Sequence, residues 1–220
     1  MPVKKMKKVS VLTVAALLGS VGLSAAQAAD AGFVPKSAGD FVVRARGIYV
    51  APDESSSLSV AGGDVSVSNE TVPEVDFSYF LTDNIALELI AATNRHEVNG
   101  AGTLSGTSLG KVSLLPPTLT LQYHLMPKQR FSPYVGAGLN YTFFYNEDAP
   151  GGGITSVNYE NNVGYALQAG VDYAISGPWS VNVDVKKIFL STDVSVNGGA
   201  VTGEVDLDPW IVGVGIGYRF

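Results

Sequence analysis

The residues able to do chemistry in this chain recur at a spacing of two. Arg44 and Arg46, Glu74 and Asp76, and Asp184 and Lys186 form such pairs, and Glu88 and Asp172 stand singly among apolar neighbours. Side chains two apart share one face of a β-strand, and the residues between them point the other way. Those intervening residues are apolar: Ala45 lies between the arginines, Val75 between the first acids and Val185 between Asp184 and Lys186. Charges confined to one face of strands with an apolar second face build ion pairs across an enclosed interior. With Arg219, the cations Arg44, Arg46 and Lys186 meet the carboxylates Glu74, Asp76, Glu88, Asp172 and Asp184. Pairing is required, because an unpaired buried charge is costly. Two readings stay open for this charge network: a rigid salt-bridged plug, or the lining of a path for a polar solute.

Other chemistries are poorly supported. The chain has 2 histidines and no cysteine, so thiol chemistry and a disulfide framework are absent. His96 and His124 fall at opposite ends of the strand pattern, roughly 30 Å or more apart at the usual strand rise. No serine–histidine–acid cluster can be placed, and two separated histidines do not make metal-ligand spacing. Gly151-Gly-Gly153 sits in a loop. Gly213-Val-Gly-Ile-Gly217 lies inside a strand with no helix after it, so neither is a nucleotide loop. The expectation is a protein that is not an enzyme and uses no cofactor or metal.

The elements that must position these charges are strands. Period-two reading finds eight, near 40–52, 70–82, 85–98, 111–126, 132–146, 162–175, 179–192 and 204–220. Asp83-Asn84, Pro127–Arg130 and Ser176–Pro178 are short turns, whereas loops near 53–69, 99–110, 147–161 and 193–203 are longer and rich in Gly, Ser and Asn. Short turns alternating with long loops mark an outer-membrane barrel, with turns on the periplasmic side. The predicted fold is therefore an all-β, eight-stranded antiparallel up-and-down transmembrane barrel, one domain over residues 29–220. The interior of such a barrel is just wide enough for its side chains to fill.

The last strand carries the same message. Trp210, Val212, Val214, Ile216, Tyr218 and Phe220 share one face, and Ile211, Gly213, Gly215, Gly217 and Arg219 the other. The outward aromatics Trp210 and Tyr218 and the terminal Phe220 are the expected signal for barrel-assembly machinery. The inward glycines leave room for larger groups on neighbouring strands, and Arg219 is placed near the periplasmic end of the charge network.

Residues 1–28 read as a cleaved secretory signal: four lysines, an apolar run over 9–23, and Ala26-Gln27-Ala28 before the cut. Of 14 Lys+Arg and 20 Asp+Glu, the signal takes four lysines and no acid, leaving 10 against 20, a net charge of −10. That argues against nucleic acid as a partner. Outer-membrane lipid and lipopolysaccharide are the expected surroundings.

The alternation breaks in two places. Lys187 falls on the lipid-facing parity; it either reaches headgroup phosphates from the outer rim or is turned inward by a bulge. Pro116-Pro117 interrupts the fourth strand, and proline cannot donate to a ladder. This is either a kink above the lipid or a sideways gap through which an apolar molecule leaves the lumen. Pro73 in the second strand reads as part of a rim extension.

Five segments, in order, resemble the outer membrane protein W (OmpW) family over essentially all of the chain after the signal. They are Thr82–Thr93, Leu115–Leu121 (LPPTLTL), Tyr134–Tyr141 (YVGAGLNY), Gln168–Tyr173 (QAGVDY) and Leu207–Trp210 with Gly217–Phe220. The resemblance implies a narrow apolar upper lumen, admission of small and mostly apolar compounds, and a sideways exit at the LPP kink. It also implies a constriction by a large aliphatic and a tryptophan, which align with Ile90 and Lys186. An ammonium in place of an indole departs from the family pattern and points to small amphipathic or anionic solutes. The functional expectation is a passive narrow channel for small apolar or amphipathic molecules. The alternative is a closed structural or interaction barrel whose loops contact lipopolysaccharide, phage or a host surface.

Overall fold

Alternation of side-chain size and polarity produces strands throughout the computed structural model, which describes residues 32–220. The expected signal over residues 1–28 lies outside the described residues. In chain order the strands begin β1 (Phe41–Ala51), β2 (Ser55–Leu58), β3 (Gly63–Val67), β4 (Glu70–Phe80) and β5 (Ile85–Ala92). β6 (Asn94–Gly102), β7 (Ser108–Leu115), β8 (Thr118–His124), β9 (Phe131–Asp148) and β10 (Val157–Tyr159) follow. β11 (Asn162–Ser176), β12 (Trp179–Phe189), β13 (Ser191–Val196), β14 (Val201–Asp206) and β15 (Trp210–Arg219) complete the set.

Eight strands close an antiparallel ring: β1–β4–β5–β8–β9–β11–β12–β15 and back to β1. Closure satisfies every ladder without leaving an edge, which a lipid environment demands. The three turns fall at the expected places. The long loops do not stay loops, however. β3 pairs with β6, and β6 and β7 run on together above the ring. β10, β13, β14 and β2 form a separate four-stranded sheet. Gly, Ser and Asn in these segments suggested irregular chain, but partners distant in sequence supply the missing ladders.

The two faces separate cleanly. β1 reads exposed at Phe41, Ala45, Gly47 and Tyr49 and buried at Val42, Arg44, Arg46, Ile48 and Val50. Outward aromatics form two girdles. Phe41, Tyr79, Tyr123, Phe131, Tyr173 and Trp179 ring the turn end, and Tyr49, Tyr141, Phe143, Tyr145, Tyr165 and Trp210 the other. Phe41 and Tyr49 are eight residues apart on β1, about 20 Å of height at ~3.4 Å per residue and a tilt of ~40°. Between them the outer face is mostly Val, Leu, Ala and Ile, with Phe77 and Gly47 among them. Aromatic belts flanking an apolar band are what a membrane interface selects.

Lys187 keeps its outward register, opposite Leu167 and Trp210, so no bulge turns it inward. Its ammonium lies over the Trp210 ring, 5.1 Å from the centroid, and bonds Asp53 and the Asp208 carbonyl. Protein groups at the rim occupy the cation that was expected to seek phosphates.

Candidate functional site: a charged floor beneath an apolar cup

Inward residues of the ring stack into three zones. The lowest closes the turn end. Val42, Phe80 and Ala86 form a small apolar cluster there, and His124 packs between Phe80 and Tyr134 at centroid distances of 4.9 and 5.0 Å. The chain before β1 lies across this end. Lys36 Nζ donates to Asp172 Oδ2 at 2.7 Å, His124 Nδ1 at 3.0 Å and Ser132 Oγ at 3.1 Å. Burial lowers the Lys36 pKa, with Asp172 pulling the other way. Backbone bonds from Lys36 to Pro127 and from Gly39 to Phe80 fix the segment.

Above it sits the charge layer. Arg44 grips Asp172 with two bonds, Nε to Oδ1 at 3.1 Å and Nη2 to Oδ2 at 2.9 Å. Its Nη1 donates to Asp76 Oδ1 at 2.8 Å and Ser78 Oγ at 2.7 Å. Arg46 meets Glu74 at 2.7 Å and Asp76 at 2.9 Å, with Glu88 at 3.4 Å. Lys186 reaches Asp184 at 2.7 Å and Glu74 at 3.0 Å. Thr120 donates to Glu88, while Tyr134 and Gln168 donate to Asp184. The arginines of β1 thus reach acids on β4, β5 and β11, and Arg46 also lies 3.8 Å from Asp184 on β12. Small residues make this reach feasible: Arg44 is opposite Gly217 and Arg46 opposite Gly215. A Cβ added at Gly215 would strike the Ala45 carbonyl and stand 2.7 Å from Arg46 Cα.

The charge layer differs from expectation in its cations. Arg219 is not a member. Its guanidinium bonds the carbonyls of Val34 at 2.7 Å and Pro35 at 2.8 Å, and Asp40 at 3.3 Å, pinning the chain before β1. Lys36, which sequence reasoning passed over, stands against Asp172 instead. The signal that could have found it is a lone lysine between Pro35 and Ser37, four residues ahead of the first strand pattern.

The third zone is apolar. Ile48, Val50, Ala166, Ile188, Leu190 and Ile211 cluster directly above the charges. Val65, Val98, Val112, Leu114 and Val205 continue the lining through the extended strands. Between them lies a cavity of about 80 Å³, whose wall includes Pro116, Asn140, Thr142, Phe144 and Tyr159. Neither Ile90 nor Lys186 lines it. Ile90 is buried beside Thr118, and Lys186 is held by two carboxylates in the floor. The expected aliphatic–ammonium constriction is therefore not the throat of this cavity. Ion pairing pulls Lys186 down into the layer below.

Pro116 and Pro117 separate β7 from β8. On one side the prolines stay fastened to β9: Tyr141 N donates to the Pro117 carbonyl at 3.0 Å and Asn140 Nδ2 to Pro116 at 3.2 Å. On the other side pairing stops at Ile90–Thr118 and resumes at Asn94–Leu114. Ala91, Ala92 and Thr93 thus face Leu115, Pro116 and Pro117 without a ladder. Outside this break, Thr93 Oγ1 and Tyr145 OH lie 2.5 Å apart.

A closed eight-stranded ring with aromatic girdles, a paired polar interior and turns at one end defines an outer-membrane β-barrel. The OmpW family model matches residues 37–220, and the chain belongs to the OmpW family. It is 46% identical over 182 residues to the outer-membrane protein y4mB of Sinorhizobium fredii, covering 81% of this chain and 79% of that protein. It is 38% identical over 218 residues to outer membrane protein W of Escherichia coli, covering 95% and 99% respectively. The crystal structure of OprG from Pseudomonas aeruginosa superposes with a TM-score of 0.81 at 34% identity, covering 84% of this chain and 98% of that one.

Proposed function

We propose that this barrel is a passive path for small, largely apolar or amphipathic molecules, which enter the apolar cup and leave sideways at the Pro116-Pro117 break. The observation that carries the reading is the cup's position: its lining is apolar, its floor is a paired charge layer, and Pro116 is part of its wall. An apolar solute gains by leaving water for such a lining and meets desolvated ion pairs below. The interrupted ladder beside Ala91–Thr93 is the weakest part of the wall. The working parts are then Pro116, Pro117 and the cup lining, with Lys186 and Arg46 as the floor.

Uptake of a small apolar solute into liposomes tests this. Liposomes containing the wild type should load faster than barrel-free ones, and Pro116→Ala with Pro117→Ala should slow loading several-fold. Unchanged apolar uptake by the double variant would sink the lateral exit. The packed charge layer also favours a second reading, a closed barrel whose extracellular sheets contact lipopolysaccharide or another surface. That reading predicts no uptake at all, and loss of binding when residues 147–161 are shortened.

A further inference from the structure

The apolar cup contains one wall whose polar groups are left without partners. His96 on β6 is only 4% exposed and lines the cavity. Its Nδ1 lies 2.7 Å from the Ser68 carbonyl oxygen. A carbonyl only accepts, so Nδ1 carries the hydrogen and Nε2 bears a lone pair. Burial lowers the His96 pKa against the opposing effects of the Ser68 carbonyl and Glu70, which keeps the ring neutral. Nε2 has no hydrogen-bond partner among the described residues. Two positions back, on the same face of β6, Asn94 also lines the cavity, and its Oδ1 is buried with no partner.

Three of the other polar lining groups are engaged, while the Tyr159 hydroxyl makes no hydrogen bond among the described residues. Thr142 Oγ1 donates to Asn140 Oδ1, Asn140 Nδ2 donates to Thr118 Oγ1, and Thr192 Oγ1 donates to the Glu160 carbonyl. The β6 wall of an otherwise apolar chamber therefore offers two acceptors, His96 Nε2 and Asn94 Oδ1, that no donor among the described residues reaches. Buried acceptors are rarely left unmet in folded proteins.

We propose that His96 and Asn94 form a hydrogen-bonding station for the hydroxyl group of an otherwise apolar solute. The cup then selects aliphatic alcohols over the corresponding hydrocarbons. This rests on the reading of the barrel as a path for apolar molecules and names its substrate class. A donor placed against a buried acceptor discriminates by about tenfold against the analogue that lacks it.

The test uses full-length protein in vesicles with a lipopolysaccharide outer leaflet, and compares uptake of labelled 1-octanol and octane. The wild type should raise the alcohol-to-hydrocarbon ratio about tenfold over barrel-free vesicles. His96→Leu should return that ratio to the barrel-free value, and His96→Gln, which restores an acceptor, should recover part of it. In nanodiscs, the ¹⁵N resonance of His96 Nε2 should shift on addition of 1-octanol and not of octane. Should wild type and His96→Leu show the same ratio, with both solutes entering faster than in barrel-free vesicles, the station is overturned and the path stands. If neither solute enters faster, the path reading fails, and the nitrogen resonance still decides the station: no shift with 1-octanol overturns it. Asn94→Leu gives the uptake comparison should His96→Leu fail to fold.

Discussion

Arg44 is the residue whose loss the charge layer should feel most. It is fully buried, touches Asp76 and Asp172, and donates four hydrogen bonds in all. Arg44→Met keeps much of the side-chain volume and removes the charge. Asp172 then keeps Lys36, which is 13% exposed, as its one cation beside the Asn182 amide donor, and Asp76 keeps only Arg46. Removing one member of a buried pair costs about 3–5 kcal/mol, because the partner charge stays buried and unmatched. At an m-value of ~2 kcal/mol/M, that moves a urea unfolding midpoint down by about 2 M. The assay is reversible unfolding in lipid vesicles followed by tryptophan fluorescence. Adding Asp172→Asn to Arg44→Met removes one stranded carboxylate and should return about 1–3 kcal/mol, a positive coupling that adjacent residues show and distant ones do not. A loss under ~1 kcal/mol, the range of exposed pairs, together with simple additivity, would mean that water fills the waist and that the charges do not form a dry floor.

Gly215→Ala should cost about 1–3 kcal/mol by overpacking, because the new methyl meets the Ala45 carbonyl and Arg46 Cα. Gly47→Ala, on the lipid face with nothing within 4 Å, should fold and unfold like the wild type in the same urea titration. Lys36→Ala should free the chain before β1, so that limited proteolysis cuts within residues 33–40, while the conductance of planar bilayers stays at baseline because Arg44 still fills the lumen. Phe220→Ala should lower the outer-membrane yield in cells and leave refolding into detergent unchanged, as expected of a residue read by assembly machinery.

Parity alone made the barrel legible. Arg44, Arg46, Asp76, Glu88 and Asp184 fall on the buried face because a polar side chain has no other place in a strand surrounded by lipid. The apolar cup was not legible in that way. Beyond the charge layer both faces of β1 and of the end of β12 are apolar, as in Ile48-Tyr49-Val50 and Ile188-Phe189, so alternation of polarity fades where the cavity begins. The strands above the ring were hidden for a different reason. Their ladders join β2 to β14, whose paired residues are 145 to 151 apart in sequence, and β3 to β6, 31 to 39 apart, and the Gly- and Ser-rich composition of these segments carries no local signal. Arg219 and Lys36 exchanged roles because a strand end is set by the tertiary path of the chain before β1, which no periodicity records.

The stacking of cup on charge layer bears on the direction a solute takes. To continue toward the turn end, a solute must separate Lys186 from Glu74 and Asp184, or Arg46 from its acids, in a dry interior. Two such separations cost about 6–10 kcal/mol. To leave sideways, it passes the stretch where Ala91, Ala92 and Thr93 face Leu115, Pro116 and Pro117. No ladder bond is lost there, since proline has no N–H and pairing is already absent on that side. The Thr93–Tyr145 contact across the outer face is one hydrogen bond, about 0.5–1.5 kcal/mol net. A difference of even ~5 kcal/mol between the routes is a factor of several thousand in rate. Thr93→Val should therefore speed apolar uptake, whereas Lys186→Met, which leaves Arg46 and its acids in place, should not open a route to the periplasm. Faster passage through Lys186→Met than through Thr93→Val would reverse this ordering of the two barriers.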